Sequence, residues 1–220
     1  MENPVVHADV QADVQAGRHA CPAVRPSEAR ELAAHVRGEP WLVTALDAVA
    51  ASCLPDAWIG AGVIRDIVWG RLHDGFDPAV VNDIDVAFFD AGDLRPERDR
   101  AAQRLLGELA DLPWEATNQA AVHTWYHTYF GGPPIPPFTR VHDAVATWPE
   151  TATCVAIRVD ADALGGLAIC APYGLADLLD KTWRWNQARV PVAISQARLA
   201  RQRVHQRWPS VTIVPPAPRR

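Results

Sequence analysis

Hydrophobic and polar positions change period several times along the chain, and each change marks an element. Ser27 stands before Glu28, Ala29, Arg30 and Glu31. That is an N-cap with an acidic first turn, and it predicts a helix ending near Gly38 and Pro40. A second helix is expected from about Trp41 to Ser52, where Pro55-Asp56 breaks it. Ala57-Trp58-Ile59 reads as a short strand and Gly60-Ala61-Gly62 as a tight turn. A helix should follow from about Val63 to Leu72, with Val63, Ile67 and Val68 near one face. His73 to Val81 holds Gly75 and Pro78 and is expected as a loop. The period then becomes two: Ile84, Val86 and Phe88 alternate with Asp83, Asp85 and Ala87. Both aspartates therefore face one side of a strand. A polar helix from about Pro96 to Leu109 and a strand around Trp114 to Asn118 close this unit.

The run Gly131-Gly132-Pro133-Pro134-Ile135-Pro136-Pro137 cannot be helical and is the strongest boundary signal in the chain. Beyond it, Arg140 to Trp148 is expected as a helix. Cys154 to Val159 and Leu167 to Cys170 read as a hairpin turned at Gly165-Gly166. Leu175 to Trp185 is expected as a helix and Ala193 to Trp208 as a last, basic one. The domain expected is 27–210, between a weakly ordered leader, 1–26, and a disordered tail, 211–220.

Composition narrows the setting. A chain of 220 residues, 49% hydrophobic and 21% charged, can bury one sizeable core. Its longest apolar stretch, Leu42 to Leu54, is interrupted by Thr44 and Asp47 and is too short to span a bilayer, so no membrane segment is expected. The N-terminus has no basic region followed by an apolar run, which favours the cytoplasm. Cys21, Cys53, Cys154 and Cys170 stand far apart without zinc-finger spacing and read as reduced thiols. A net charge of −5 disfavours a large nucleic-acid partner. Nine tryptophans serve the core first, though their faces also suit stacking on a base, and the aromatic content permits a homo-oligomer.

Asp83 and Asp85 bear on chemistry because two carboxylates one residue apart on a strand share a face, about 7 Å apart, and can clamp Mg²⁺ or Mn²⁺. Alone, such pairs are common at exposed strand ends. The upstream turn makes the combination more specific. Gly60 and Gly62 let the backbone come close to a phosphate, and the helix that follows presents free N–H groups to it.

The run from Ile59 through Gly60, Ala61, Gly62, Arg65, Asp66, Gly70 and Arg71, followed by Asn82-Asp83-Ile84-Asp85-Val86, resembles the signature of the DNA polymerase β-like nucleotidyltransferases. Its Arg-Asp and Gly-Arg pairs are similar to those of the head domain of tRNA CCA-adding enzymes and poly(A) polymerases. This covers about residues 57 to 90. A wider resemblance, from Leu42 to Trp208, is to small bacterial nucleotidyltransferase-like proteins. It runs through Asn118-Gln119-Ala120, Val122-His123, Trp148 to Thr153 and Ala171 to Leu175.

The resemblance implies an α+β fold, a nucleotidyltransferase-like mixed β-sheet flanked by helices. It also implies Mg²⁺ (or Mn²⁺) on Asp83 and Asp85 and a nucleoside triphosphate on Gly60, Ala61 and Gly62. The superfamily usually has Gly or Ser where Ala61 stands between two glycines. A third carboxylate normally lies on the next strand. Glu115 is the nearest acid there and the choice for the catalytic base, with Asn118 a neutral ligand at best. No arginine-rich segment of the kind that selects nucleotides in CCA-adding enzymes follows.

Other residues keep two readings at this point. Arg65 can reach a phosphate or simply pair with Asp66. Asn118, Gln119 and His123 suit base contacts or a buried hydrogen-bond network. Glu150 can join the carboxylates or cap a turn, and Tyr173 and Lys181 are weaker candidates for substrate contact. The function expected is metal-dependent transfer of a nucleoside monophosphate from an NTP to an unknown hydroxyl acceptor. A non-catalytic nucleotide- and metal-binding module on the same fold is the alternative, and a metal-free scaffolding partner the third.

Overall fold

The computed structural model describes residues 23–73, 75–131 and 133–216. Most of the expected leader, Cys21 included, and the end of the expected tail lie outside them. The chain opens with α1 (Pro26–Arg37) and α2 (Pro40–Ala51), then β1 (Trp58–Gly60) and α3 (Gly62–Arg71). Next come β2 (Ile84–Phe88), α4 (Pro96–Leu109), β3 (Trp114–Asn118), α5 (Val122–Phe130) and the single-turn α6 (Val141–Val145). The remainder is β4 (Ala156–Val159), β5 (Leu167–Cys170), α7 (Ala176–Leu179), β6 (Thr182–Arg184), α8 (Val192–Arg201), α9 (Val204–Arg207) and β7 (Thr212–Val214).

A five-stranded sheet runs in the order β3-β2-β1-β4-β5. Only β2 and β3 are parallel, joined across α4, and the other neighbours are antiparallel. The fold is therefore α+β, a mixed sheet flanked by helices. Alternation along the strands sorts side chains onto two faces. Ile59, Val86, Ile157 and Ala116 join the main core with Leu42, Leu46, Ile64, Ile67 and Leu106 from the helices. Trp58, Ala87, Ala156 and Cys170 point the other way, into a smaller cluster with Val141 and Val145 of α6.

Several expectations change. Arg25, not Ser27, caps α1: its backbone N–H donates to the Glu28 carboxylate at 2.9 Å, and Pro26, which has no N–H to satisfy, starts the helix. The helix expected over Leu175 to Trp185 is one turn, α7. It stops because Lys181 turns to a left-handed φ of 53° and Trp183 buries itself as part of β6. β6 pairs in parallel with β7, so residues 212–214 are a strand, not part of a disordered tail. The last basic helix breaks at Arg203 (φ 50°), which re-aims α9. Between Arg140 and Trp148 only α6 is helical, whereas α5 is a helix the polar and aromatic pattern did not announce. The hairpin of β4 and β5 does turn through Gly165 and Gly166. Among the described residues no helix is long and apolar enough to cross a membrane.

Cys154 and Cys170 are buried and Cys53 is exposed. Trp69, Trp183 and Trp208 belong to the core.

Candidate functional site

The smaller-cluster face of the sheet opens into a cleft of about 1010 Å³. One wall is acidic. Asp85 sits opposite Glu115 in the parallel β2–β3 ladder, and opposed residues on neighbouring strands share a face at about 4.8 Å. Asp83, two residues before Asp85, lies on that face too, and all three line the cleft. Burial above all, then the Asp83 and Glu115 carboxylates, pushes Asp85 up to about 7. A backbone hydrogen bond from Gly62 and the Arg198 guanidinium pull the other way. Desolvation against the cleft wall, then Asp83, raises Glu115 as well. The three carboxylates thus feel one another. Among the described residues, however, no three His, Cys, Asp or Glu side chains are gathered closely enough to hold a metal ion as they stand.

The glycine turn divides its work in a way the sequence did not reveal. A Cβ on Gly60 would lie 2.7 Å from the Trp148 ring and 2.8 Å from the Val155 carbonyl oxygen. Gly60 is therefore a packing glycine that lets β1 pass beneath Trp148, and it does not line the cleft. Ala61 (φ 60°, ψ −126°) and Gly62 do line it, at the start of α3. The Gly62 backbone N–H reaches Asp85, so the turn and the carboxylates form one unit.

Arg65, from the first turn of α3, is 2% exposed. Its Nε donates to Asp66 Oδ1 at 2.8 Å, and its guanidinium lies 5.4–5.8 Å from the rings of Trp69, Trp183 and Trp208. Arg207 holds the other oxygen of Asp66 at 2.8 Å. The pairing with Asp66 takes Nε and Nη2, while Nη1 is buried without a hydrogen-bond partner in a residue that lines the cleft.

Asn118 is a correction. It is fully buried: its Oδ1 accepts from the backbone N–H groups of Asp90 and Ala120, and its Nδ2 donates to the carbonyls of Asp90 and Asp93. Every polar position of its side chain is occupied away from the cleft, so it pins the β3 exit and cannot serve as a ligand. Gln119 lines the cleft, His123 bonds the Ala120 carbonyl, and neither Tyr173 nor Lys181 reaches the cleft.

Glu150 does not join the carboxylates. It is completely buried and grips Arg198 of α8, with Nε at 3.0 Å from Oε1 and Nη2 at 3.2 Å from Oε2. Its backbone carbonyl caps the turn at Thr151–Thr153, as the turn reading required.

The second wall is basic. Arg189, Arg198, Arg201, Arg203 and Arg207 line it, drawn from the segment before α8, from α8, and from the break into α9. The basic character of this region was legible, but not its direction. The i, i+3 spacing of Arg198 and Arg201 puts both on one helix face, and only the break at Arg203 turns the later arginines inward.

The sequence matches a family model described as Nucleotidyltransferase over residues 47–213. The structure is similar to a solved one described as an NMR structure that reveals a CCA-adding enzyme head domain. The two share 27% identity with a TM-score of 0.68, over 84% of this chain and 95% of that one. No curated protein matches the chain. With the mixed sheet, the glycine turn and the paired aspartates already in place, the match over three quarters of its length means that this chain belongs to the nucleotidyltransferase family.

Proposed function

We propose that the protein transfers a nucleoside monophosphate from a nucleoside triphosphate to a hydroxyl acceptor, with release of pyrophosphate, in a metal-dependent reaction. The observation that carries this reading is the bipolar cleft, in which Asp83, Asp85 and Glu115 face a wall of arginines. Mutual repulsion among oxygen donors is the donor chemistry a hard divalent cation relieves, so the residues present fit Mg²⁺ or Mn²⁺. Asp83 and Asp85 would hold the ion, which supplies charge stabilisation to phosphate oxygens.

The chain's own groups do the rest. The buried Nη1 of Arg65 and the arginines of α8 and α9 bind triphosphate oxygens and orient the α-phosphorus. Glu115, exposed on β3 opposite Asp85, takes the proton of the attacking hydroxyl as the P–O bond to pyrophosphate breaks. The acceptor in this reading is smaller than a long nucleic acid, in keeping with the net charge of −5. A non-catalytic nucleotide- and metal-binding module on the same fold is the second reading, which needs the two walls of the cleft but no proton acceptor.

Thermal shifts with each NTP, with and without Mg²⁺ or Mn²⁺, test the binding step. Metal-dependent stabilisation is expected, and Asp83→Ala combined with Asp85→Ala abolishes it. A double variant that still responds fully overturns the site. Pyrophosphate release then separates transferase from binder, and Glu115→Gln is expected to lower it at least 100-fold while leaving the thermal shift intact.

A further inference from the structure

Arg189 is a cationic group of the cleft that the fold supports at several points. It lies on the segment between β6 and α8, which is fixed at both ends. Buried Asn186 donates through Nδ2 to the carbonyls of Ala146 and Trp148, both at 2.8 Å, and accepts from the Ala188 N–H at 3.0 Å. The Trp185 indole donates to the Val190 carbonyl at 2.7 Å. Between these anchors the Arg189 guanidinium is laid over Tyr126 of α5, 3.7 Å from the ring centroid, and 5.4 Å from that of Phe138. A cation stacked this way is held flat against the ring, and the Tyr126 side chain also hydrogen-bonds it.

Among the described residues no carboxylate forms an ion pair with it, and its Nε and Nη1 are buried without a hydrogen-bond partner. Arg65, Arg198 and Arg207 differ, since each of them is paired with Asp66 or Glu150. A half-buried guanidinium with two unsatisfied nitrogens in a cleft wall is costly unless an anion arrives. The guanidinium offers a positive charge and N–H donors that suit the oxygens of a carboxylate or phosphate. Trp125 and Phe130, on the same helix as Tyr126, line the cleft beside it and offer apolar cover to a carbon skeleton.

We infer that Arg189 holds an anionic group, a carboxylate or a phosphate, on the acceptor substrate. This rests on the transferase reading above and adds the chemical class of its second substrate: a hydroxyl compound that also carries a negative group. Arg189 is then a positioning residue for the acceptor, and the triphosphate uses the arginines of α3, α8 and α9.

The test follows the Nε–Hε resonance of Arg189, assigned through Arg189→Lys, while inorganic phosphate and acetate are titrated separately. The protein is examined alone and with its nucleotide site filled by Mg²⁺ and a non-hydrolysable triphosphate analogue. A saturable shift by one of the two anions in the filled protein is expected, and which anion gives it distinguishes phosphate from carboxylate. Arg189→Gln is expected to bind the same anion at least tenfold more weakly by isothermal titration and to bind the analogue within twofold of the parent. If the anion displaces the analogue, or if Arg189→Gln binds the analogue more than tenfold weaker with its fold intact by near-UV circular dichroism, Arg189 belongs to the triphosphate and the inference falls. If neither anion moves the resonance, it also falls. Failure of the analogue to bind at all removes the transferase reading and the acceptor role with it, separately from the anion result on the protein alone.

Discussion

At the scale of single residues, the site stores charge and strain that are measurable without knowing the acceptor. Asp85 is raised to about 7 by burial and by Asp83 and Glu115. Its folded value therefore lies above its unfolded one, and the folded state binds the proton more tightly. In metal-free protein the stability present at low pH is lost as pH rises from about 4 through about 7, then levels off. Asp85→Asn removes that slope, and thermal melts at pH 8 without metal should show it more stable by about 1–2 kcal/mol, allowing for its partial exposure. Mg²⁺ should bind the parent more tightly at pH 8 than at pH 6, because the cation competes with the Asp85 proton. Isothermal titration at the two pH values checks this, and equal affinities would remove Asp85 from the ion. Ala61 is the second case. It adopts φ 60°, where a Cβ is strained and glycine is not. Ala61→Gly should stabilise the fold by roughly 0.5–1 kcal/mol in urea unfolding, since relief of strain outweighs the added freedom of the unfolded chain.

Elements carry the next set of effects, since each wall of the cleft depends on one tight contact. β1 can run under Trp148 only because Gly60 lacks a Cβ, and Gly60→Ala meets the Trp148 ring at 2.7 Å and backbone at 2.8 Å. A cost of about 1–3 kcal/mol is expected in denaturant unfolding. α8 is fixed by the Glu150–Arg198 pair, in which Glu150 is fully buried. Glu150→Ala leaves Arg198 without its partner and should cost about 3–5 kcal/mol. Because Arg198 also faces Asp85, the same variant should weaken NTP binding, whereas Gly60→Ala should act mainly on stability. Much of this level was readable in the chain. Turn, α3 and β2 followed from glycine spacing and a change of period, and α4 and β3 occupy the residues expected, because local pattern decides a short amphipathic element. α7 and β6 were not readable: Leu175 to Trp185 has helical spacing, and it is burial of Trp183 against a core assembled from distant elements that ends the helix.

The whole molecule adds what no element contains. β7 returns from the far end of the chain to pair with β6, and Val211 and Ile213 pack on the core. Deleting residues 210–216 together with the residues beyond should cost about 2 kcal/mol through lost apolar burial. That corresponds to a melting temperature lower by roughly 4–8 °C by scanning calorimetry. An unchanged melt would mean that the strand adds nothing. The family resemblance implied the α+β fold and the choice of Glu115 on the next strand; by itself the sequence determined the glycine turn, the helix and strand periods around it, and the shared face of Asp83 and Asp85. Each of these depends on backbone period and residue type within a few positions. Only the tertiary structure decided that Asp85 and Glu115 are in register, that Gly60 serves packing and Asn118 a buried network, and that arginines from the last third of the chain face the carboxylates. Those outcomes depend on which strands become neighbours and where a helix breaks, and long-range packing sets both.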